Sequence, residues 1–158
     1  MGSSKGIKYL IIAIRLALGL LFVYAGIKKF EKAPEKIVIE TEQNVEVKEL
    51  PENVVKIKAY IGGLKQTEYF WPMLGIAEVL CGLLLLSQVY ALLGAVMLVP
   101  LTLNIFLFEL YLGSGDVMEI ITHALYLLAN LAIIAYGYPR LKLAFLTTEK
   151  QFINSINQ

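Results

Sequence analysis

Residues 6–26 have the sequence GIKYLIIAIRLALGLLFVYAG. The stretch is long enough to cross a bilayer, because a spanning helix needs about 20 consecutive apolar residues. Arg15 lies in its middle. A charge at that depth costs about 3 kcal/mol even on the lenient insertion scales, so it normally faces the interior of a helical bundle and has a partner there. The stretch therefore predicts a transmembrane helix with a polar inward face.

The rest of the chain has the same character, with 58% hydrophobic and only 17% charged residues. This composition is too apolar for a soluble domain of 158 residues. Four segments are long and apolar enough to span, at about Ile7–Ile27, Tyr69–Val89, Ala91–Leu112 and Val117–Tyr138. Almost nothing separates the second from the third, which predicts a tight helical hairpin. We therefore expect an all-α membrane protein, a single domain built as an antiparallel bundle of four transmembrane helices.

The only long polar segment, residues 28–68, is predicted to be one charged extramembrane loop, with as many Lys as Glu. Ile37–Thr41 and Val45–Val47 are typical of the two strands of a small β-hairpin. Val54–Tyr60 alternates loosely and fits either an extended run or the start of an amphipathic helix. A solvated connector is the favoured interpretation of the loop, and a small partner-docking element is the alternative.

The low net charge and the scarcity of cysteine and histidine argue against several classes of function. A net charge of +1 with no basic stripe argues against nucleic acid as a partner. Cys81 is the only cysteine, so the chain has no intramolecular disulfide and no C-x-x-C redox pair. His123 is the only histidine and cannot complete a metal or haem site by itself. We therefore expect no metal and no covalent cofactor, and any ligand should be lipophilic, such as a quinone or a bound lipid.

Arg15 and Glu78 are predicted to form a buried ion pair. No Lys or Arg occurs between Lys65 and Arg140, so Arg15 is the cation available to acids inside the apolar spans. At 1.5 Å per residue, the depths of Arg15 and Glu78 differ by about 6 Å, which an extended guanidinium can span. Such a pair is more often structural than catalytic.

The same counting of depth places polar groups from all four spans in the half of the membrane nearer the long loop, which predicts a pocket there. Its floor would be Arg15 and Glu78, its walls Asn104, His123, Tyr126 and Asn130, and its mouth Lys28 or Lys29 with Glu109. His123 would be its proton-exchanging member, because histidine changes charge near neutral pH. The alternative is that the histidine packs between helices and the asparagines join helices by hydrogen bonds.

Three motifs carry a resemblance to a known family. Residues 15–30, RLALGLLFVYAGIKKF, resemble the first-helix signature of the DoxX-like membrane proteins, in which Arg, Gly and Phe precede Gly-x-x-Lys-Phe. Residues 75–86, GIAEVLCGLLLL, are similar to the second-helix pattern of a Glu followed by Gly and a leucine run. Residues 100–108, PLTLNIFLF, resemble the third helix of a subset of the family, in which a His stands at the position of Glu109. The resemblance covers about 110 of the 158 residues.

The resemblance implies a four-helix protein of the bacterial inner (cytoplasmic) membrane. Some relatives are linked to quinone-coupled sulfur oxidation, and others to membrane-associated redox or oxidative-stress assemblies. The basic residues beside the termini lie in short flanks with few acids, which favours termini in the cytoplasm. A literal count by the positive-inside rule favours the opposite orientation, with the lysine-rich long loop in the cytoplasm.

Three functions are consistent with these patterns. The first is an accessory or small subunit of a membrane complex, without catalytic activity of its own, that holds a quinone or lipid head group in the polar pocket. Its partners would be the lipid bilayer and other membrane-protein subunits. The second is an oxidoreductase component that uses Arg15, Glu78 and His123 for proton transfer. The third is a carrier of lipids or small solutes.

Overall fold

The secondary structure is helical throughout the part of the chain that the computed structural model describes, residues 3–31, 52–113 and 115–146. The helices are α1 (Ser3–Glu31), α2 (Glu52–Gln66), α3 (Phe70–Leu86), α4 (Ala91–Leu112) and α5 (Val117–Leu146). The prediction of an all-helical protein of the membrane class is confirmed. The predicted β-hairpin at 37–47 lies outside the described residues.

Three helices are long and apolar enough to cross a membrane, over Lys5–Phe30, Ala91–Leu112 and Val117–Leu143. α3 lies inside the predicted second span but has 17 residues, which is about 25 Å and short of the roughly 30 Å hydrocarbon core. α2 and α3 are long and apolar enough to cross a membrane only when they are taken together, and the two helices are bent by 89° at their junction. The described residues thus contain three candidate spans, or four if the bent pair counts as one.

The ends of α3 are fixed by residues in the left-handed region. Glu68 precedes the helix with φ of 59°, and Gln88 follows it with φ of 58°. The Thr67 hydroxyl donates to the Leu64 carbonyl and accepts from the Phe70 amide, so a single side chain links α2 to α3 across the bend.

α2 occupies the segment for which the sequence allowed two structures, and the amphipathic helix is the correct one. Its side chains at Tyr60, Ile61 and Leu64 face a cavity shared with α3 and α4. Spacings of three and four residues place these side chains on one face of a helix.

α1 and α3 make the most extensive helix contact, and glycines form it. A Cβ atom on Gly26 would lie 2.7 Å from the Gly75 carbonyl oxygen, and a Cβ on Gly82 would lie 2.7 Å from the Gly19 carbonyl oxygen. Small residues allow helix backbones to touch in this way. Because the higher-numbered glycine of α1 meets the lower-numbered glycine of α3, these two helices run in opposite directions.

The four long helices share one apolar core. α3 also packs on α4, α4 on α5, and α5 on α1, so each of the four touches two others. The largest fully buried apolar side chains come from all four helices: Phe22, Leu85, Leu98 and Ile133. Outward-facing side chains such as Leu20 and Leu128 are exposed and apolar, as expected for helices surrounded by lipid.

Candidate functional site

Glu78 pairs with Lys29 rather than with Arg15. The Lys29 Nζ lies 2.5 Å from the Glu78 Oε2, and the Glu78 side chain is 3% exposed. Arg15 lies at the other end of the bundle, beside Leu92, Tyr136 and Arg140. The predicted Arg15–Glu78 ion pair is therefore wrong.

The glycine contacts explain this error. With Gly26 opposite Gly75 and Gly19 opposite Gly82, Glu78 is level with Val23. Arg15 is eight residues from Val23, which is about 12 Å along the helix and twice the separation inferred from counting depth. The depth estimate assumed that all spans begin at the same plane of the membrane. The glycine contacts between α1 and α3 instead determine which residues of the two helices lie at the same level.

The direction of the side chains also favours Lys29 over Arg15 as the partner of Glu78. Every Cα–Cβ bond in a helix tilts toward the helix N-terminus. Arg15 therefore leans away from the level of Glu78. Lys29, about 9 Å beyond that level by the helical rise, leans back toward it, and its flexible four-carbon stem covers the remaining distance.

The Lys29–Glu78 pair lies on the wall of a cavity of about 170 Å³ between α2, α3 and α4. The other side chains that line it are mostly apolar or aromatic: Tyr60, Ile61, Leu64, Phe70, Trp71, Leu74, Asn104, Ile105 and Phe108. We call this space the α2–α4 cavity. A mainly apolar enclosure with a few placed polar groups is typical of sites for small lipophilic molecules.

Two aromatic arrangements shape the α2–α4 cavity. The ammonium groups of Lys29 and Lys65 lie 5.5 Å and 5.2 Å from the centroid of the Trp71 ring, both within the range of a cation–π interaction. The rings of Tyr60 and Phe108 lie 5.5 Å apart at 39°. The lining thus offers ring surfaces beside one buried carboxylate and one ammonium.

Three of the predicted site residues meet in this cavity: Lys29, Glu78 and Asn104. Glu109 is buried on α4 but does not line the cavity. Its carboxylate lies against Gly113, where an added Cβ would overlap it.

His123, predicted as a wall of the pocket, also lies elsewhere. Its Nδ1 donates to the Glu119 carbonyl of the preceding turn at 2.8 Å. Its ring meets the Tyr126 ring edge-to-face at 5.8 Å. Neither residue lines the α2–α4 cavity, so the structure does not bring Arg15, Glu78 and His123 together.

Asn130, also predicted as a wall, joins α5 to α4 instead. Its amide nitrogen donates to the Ala95 carbonyl at 3.1 Å and lies 3.5 Å from the Thr102 hydroxyl. Pro100 stands between these two positions in α4 and has no N–H to donate. Asn130 thus holds α5 against α4 close to the proline, and the Thr102 hydroxyl donates to the Leu98 and Val99 carbonyls.

The contribution of α2 to the cavity was not predicted from the sequence. The charged composition of residues 28–68 favours a connector, and an aromatic residue such as Trp71 at the start of an apolar helix is typical of the belt at a membrane interface. The signal for α2 was the apolar spacing of Ile57, Ile61 and Leu64, which repeats at four and then three residues. Trp71 gave no sequence signal that separates a belt residue from a cavity wall.

Comparison with known proteins identifies one family. The family model described as DoxX matches residues 10–110. The matched range includes every residue that lines the α2–α4 cavity. No curated protein and no solved structure matches the chain.

Proposed function

The chain belongs to the DoxX family, and on that basis we propose that this multi-pass membrane protein binds a quinone-type head group in the α2–α4 cavity as an accessory subunit of a membrane complex. The observation that carries the proposal is the Lys29–Glu78 pair, with its carboxylate buried, on the wall of an aromatic cavity.

The lining of the cavity suits a flat ring that carries oxygen atoms. The Lys29 ammonium donates hydrogen bonds, the Glu78 carboxylate accepts them, and the Asn104 amide does both. The rings of Trp71 and Phe108 offer faces on which a flat head group can stack. These residues would hold and orient a ring with carbonyl or hydroxyl groups, and the bound quinone would supply the redox chemistry.

The size of the cavity limits what it can enclose. A volume of about 170 Å³ is close to the roughly 150 Å³ of an engineered apolar cavity that binds benzene. It is well below the 300–1,000 Å³ of pockets that enclose drug-sized ligands. A single ring with small substituents therefore fits, and an isoprenoid tail would lie outside, between the helices and lipid.

Two observations favour a binding role over the other functions considered. Proton transfer through Arg15, Glu78 and His123 has no support from the geometry, because the three lie apart. A carrier needs a route across the membrane, whereas Phe22, Leu98 and other fully buried side chains fill the core between the two ends of the bundle.

The membrane arrangement is part of the same proposal. The bent α2–α3 pair would complete a fourth crossing in an antiparallel bundle, in the bacterial inner membrane with both termini in the cytoplasm. A reporter enzyme fused after Gln158 tests the orientation, since activity restricted to the far side of the membrane would contradict it.

Trp71 provides a direct assay of binding, because it is the only tryptophan in the chain and lines the cavity. Purified protein would be titrated with a short-chain benzoquinone while the tryptophan fluorescence is followed. We expect saturable quenching that weakens at least about 10-fold in Asn104→Leu and Glu78→Leu. His123→Ala is the matched control outside the cavity. Non-saturable quenching that is equal in all four proteins would refute the proposal.

A further inference from the structure

A second cavity lies at the end of the bundle opposite the Lys29–Glu78 pair, and its volume is about 320 Å³. Its lining combines α1, α4 and α5: Arg15, Leu92, Tyr136, Gly137, Pro139 and Arg140. Leu92 is the second residue of α4, so the cavity lies near the end of the bundle that carries the α3–α4 turn. Four of its six lining residues, Arg140 among them, lie outside the range 10–110 that the family model matches.

The charges of this second cavity are of one sign. Arg15 and Arg140 both line it, so two positive charges face one space, and no carboxylate is among the lining residues. The Nε of Arg15 is buried and has no hydrogen-bond partner in the part of the chain that the structure describes. Two guanidinium groups held together in a half-enclosed space are costly unless an anion lies between them.

The directions of the two side chains bring the charges together. Arg15 leans toward the N-terminus of α1, and therefore toward the α3–α4 turn. Arg140 leans toward the N-terminus of α5, and therefore inward from the membrane surface. Arg140 is three residues from the end of the apolar window Val117–Leu143, which is about 5 Å by the helical rise. The window of 27 residues is about 40 Å long, close to the whole thickness of a bilayer, so a residue 5 Å from its end would lie near the phosphate groups.

We propose that Arg15 and Arg140, with the hydroxyl group of Tyr136, form a binding site for a phosphate-bearing anion at the end of the bundle that carries the α3–α4 turn. Guanidinium groups bind phosphate oxygens with two parallel hydrogen bonds. The Tyr136 phenol provides a further donor. Basic pockets between transmembrane helices bind the head groups of anionic lipids, and free phosphate offers the same oxygens.

The test uses the purified full-length protein, stripped of lipid in a phosphate-free detergent. Three probes are added separately: phosphatidylglycerol, diacylglycerol with the same acyl chains, and inorganic phosphate. The readouts are the number of bound lipids by native mass spectrometry and the shift in Tm. Variants Arg140→Gln and Arg15→Gln remove one guanidinium each, and Lys8→Gln removes an exposed charge from the same end of α1 as a matched control.

We expect phosphatidylglycerol to bind and to raise the Tm of the native protein and of Lys8→Gln, and diacylglycerol to do neither. Affinity should fall at least about 10-fold in Arg140→Gln, which lies at the exposed end of the cavity and so remains informative if Arg15→Gln does not fold. A comparable effect of inorganic phosphate, lost in the same variant, would identify free phosphate as the source of the anion. If Arg140→Gln binds both phosphate probes as well as Lys8→Gln does, or if diacylglycerol binds as well as phosphatidylglycerol, the proposal is wrong.

Discussion

Gly26 of α1 lies directly against Gly75 of α3, so close that a Cβ atom on Gly26 would be 2.7 Å from the Gly75 carbonyl oxygen. This contact, with that of Gly19 and Gly82, sets which side chains of the two helices are level. It places Lys29 where its ammonium reaches Glu78, and it keeps Arg15 out of reach. The charge arrangement of the protein thus depends on residues that carry no side chain.

Gly26→Ala should destabilise the protein by about 1–3 kcal/mol, the usual cost of overpacking a tight contact. The added methyl group meets backbone and Val79, which cannot move aside without shifting a helix. Thermal unfolding in detergent measures the effect. Gly63→Ala is the control, because nothing lies within 4 Å of its added Cβ. Equal Tm values for the two variants would show that the close helix contact does not exist.

Lys29→Met should be more damaging than Glu78→Gln, because it leaves a carboxylate buried without its cation. Stranding one partner of a buried pair costs about 3–5 kcal/mol in soluble proteins. The Lys29 side chain is 16% exposed against 3% for Glu78, so an unpaired Lys29 can turn toward water. The double variant Lys29→Met with Glu78→Leu should recover much of the loss. If the double variant loses as much unfolding free energy as Lys29→Met and Glu78→Leu lose together as single variants, the ion pair is contradicted.

Asn130→Asp should lower stability much more than Asn130→Ala. Alanine removes one interhelical hydrogen bond to Ala95, and such bonds average about 0.6 kcal/mol in membrane bundles. Aspartate removes the same donor and also places a charge in a fully buried position. Gln66→Glu is the control for an added carboxylate, since Gln66 is exposed at the end of α2. Comparable Tm losses for Asn130→Asp and Gln66→Glu would mean that Asn130 does not face the helix interface.

His123→Ala should leave both the Tm and quinone quenching of Trp71 nearly unchanged. The imidazole bonds to the preceding turn of its own helix and touches Tyr126, and it does not reach the cavity. Fluorescence titration and thermal unfolding of the same preparation measure both quantities. A several-fold loss of quinone affinity would contradict this prediction and would mean that His123 contributes to the binding site.

The helical class and the family could be predicted from the sequence, because apolar length and motif spacing are local features. The partner of Glu78 could not. It depends on the offset between α1 and α3, and hydropathy gives the ends of a span only to within several residues. An offset of a few residues is enough to replace Arg15 by Lys29.

The α2–α4 cavity was predicted only in part, for a related reason. Glu78, Asn104 and Lys29 carry polar groups that stand out in apolar helices, so their common location could be inferred. Tyr60 and Leu64 belong to α2, whose sequence is as rich in charged residues as a solvated connector. They face the cavity because α2 is bent against α3, and the sequence does not reveal this bend.

The 89° bend between α2 and α3 separates the wall of the cavity that α2 forms from the walls formed by α3 and α4. α3 and α4 belong to the ring of four packed helices, whereas α2 touches that ring less extensively and is joined to it through the short turn at Thr67. A rotation about this turn would change the width of the cavity while leaving the buried core of the ring intact. Such a movement, confined to one short helix, would let the proposed ligand exchange sideways with the surrounding lipid without unfolding any of the long helices.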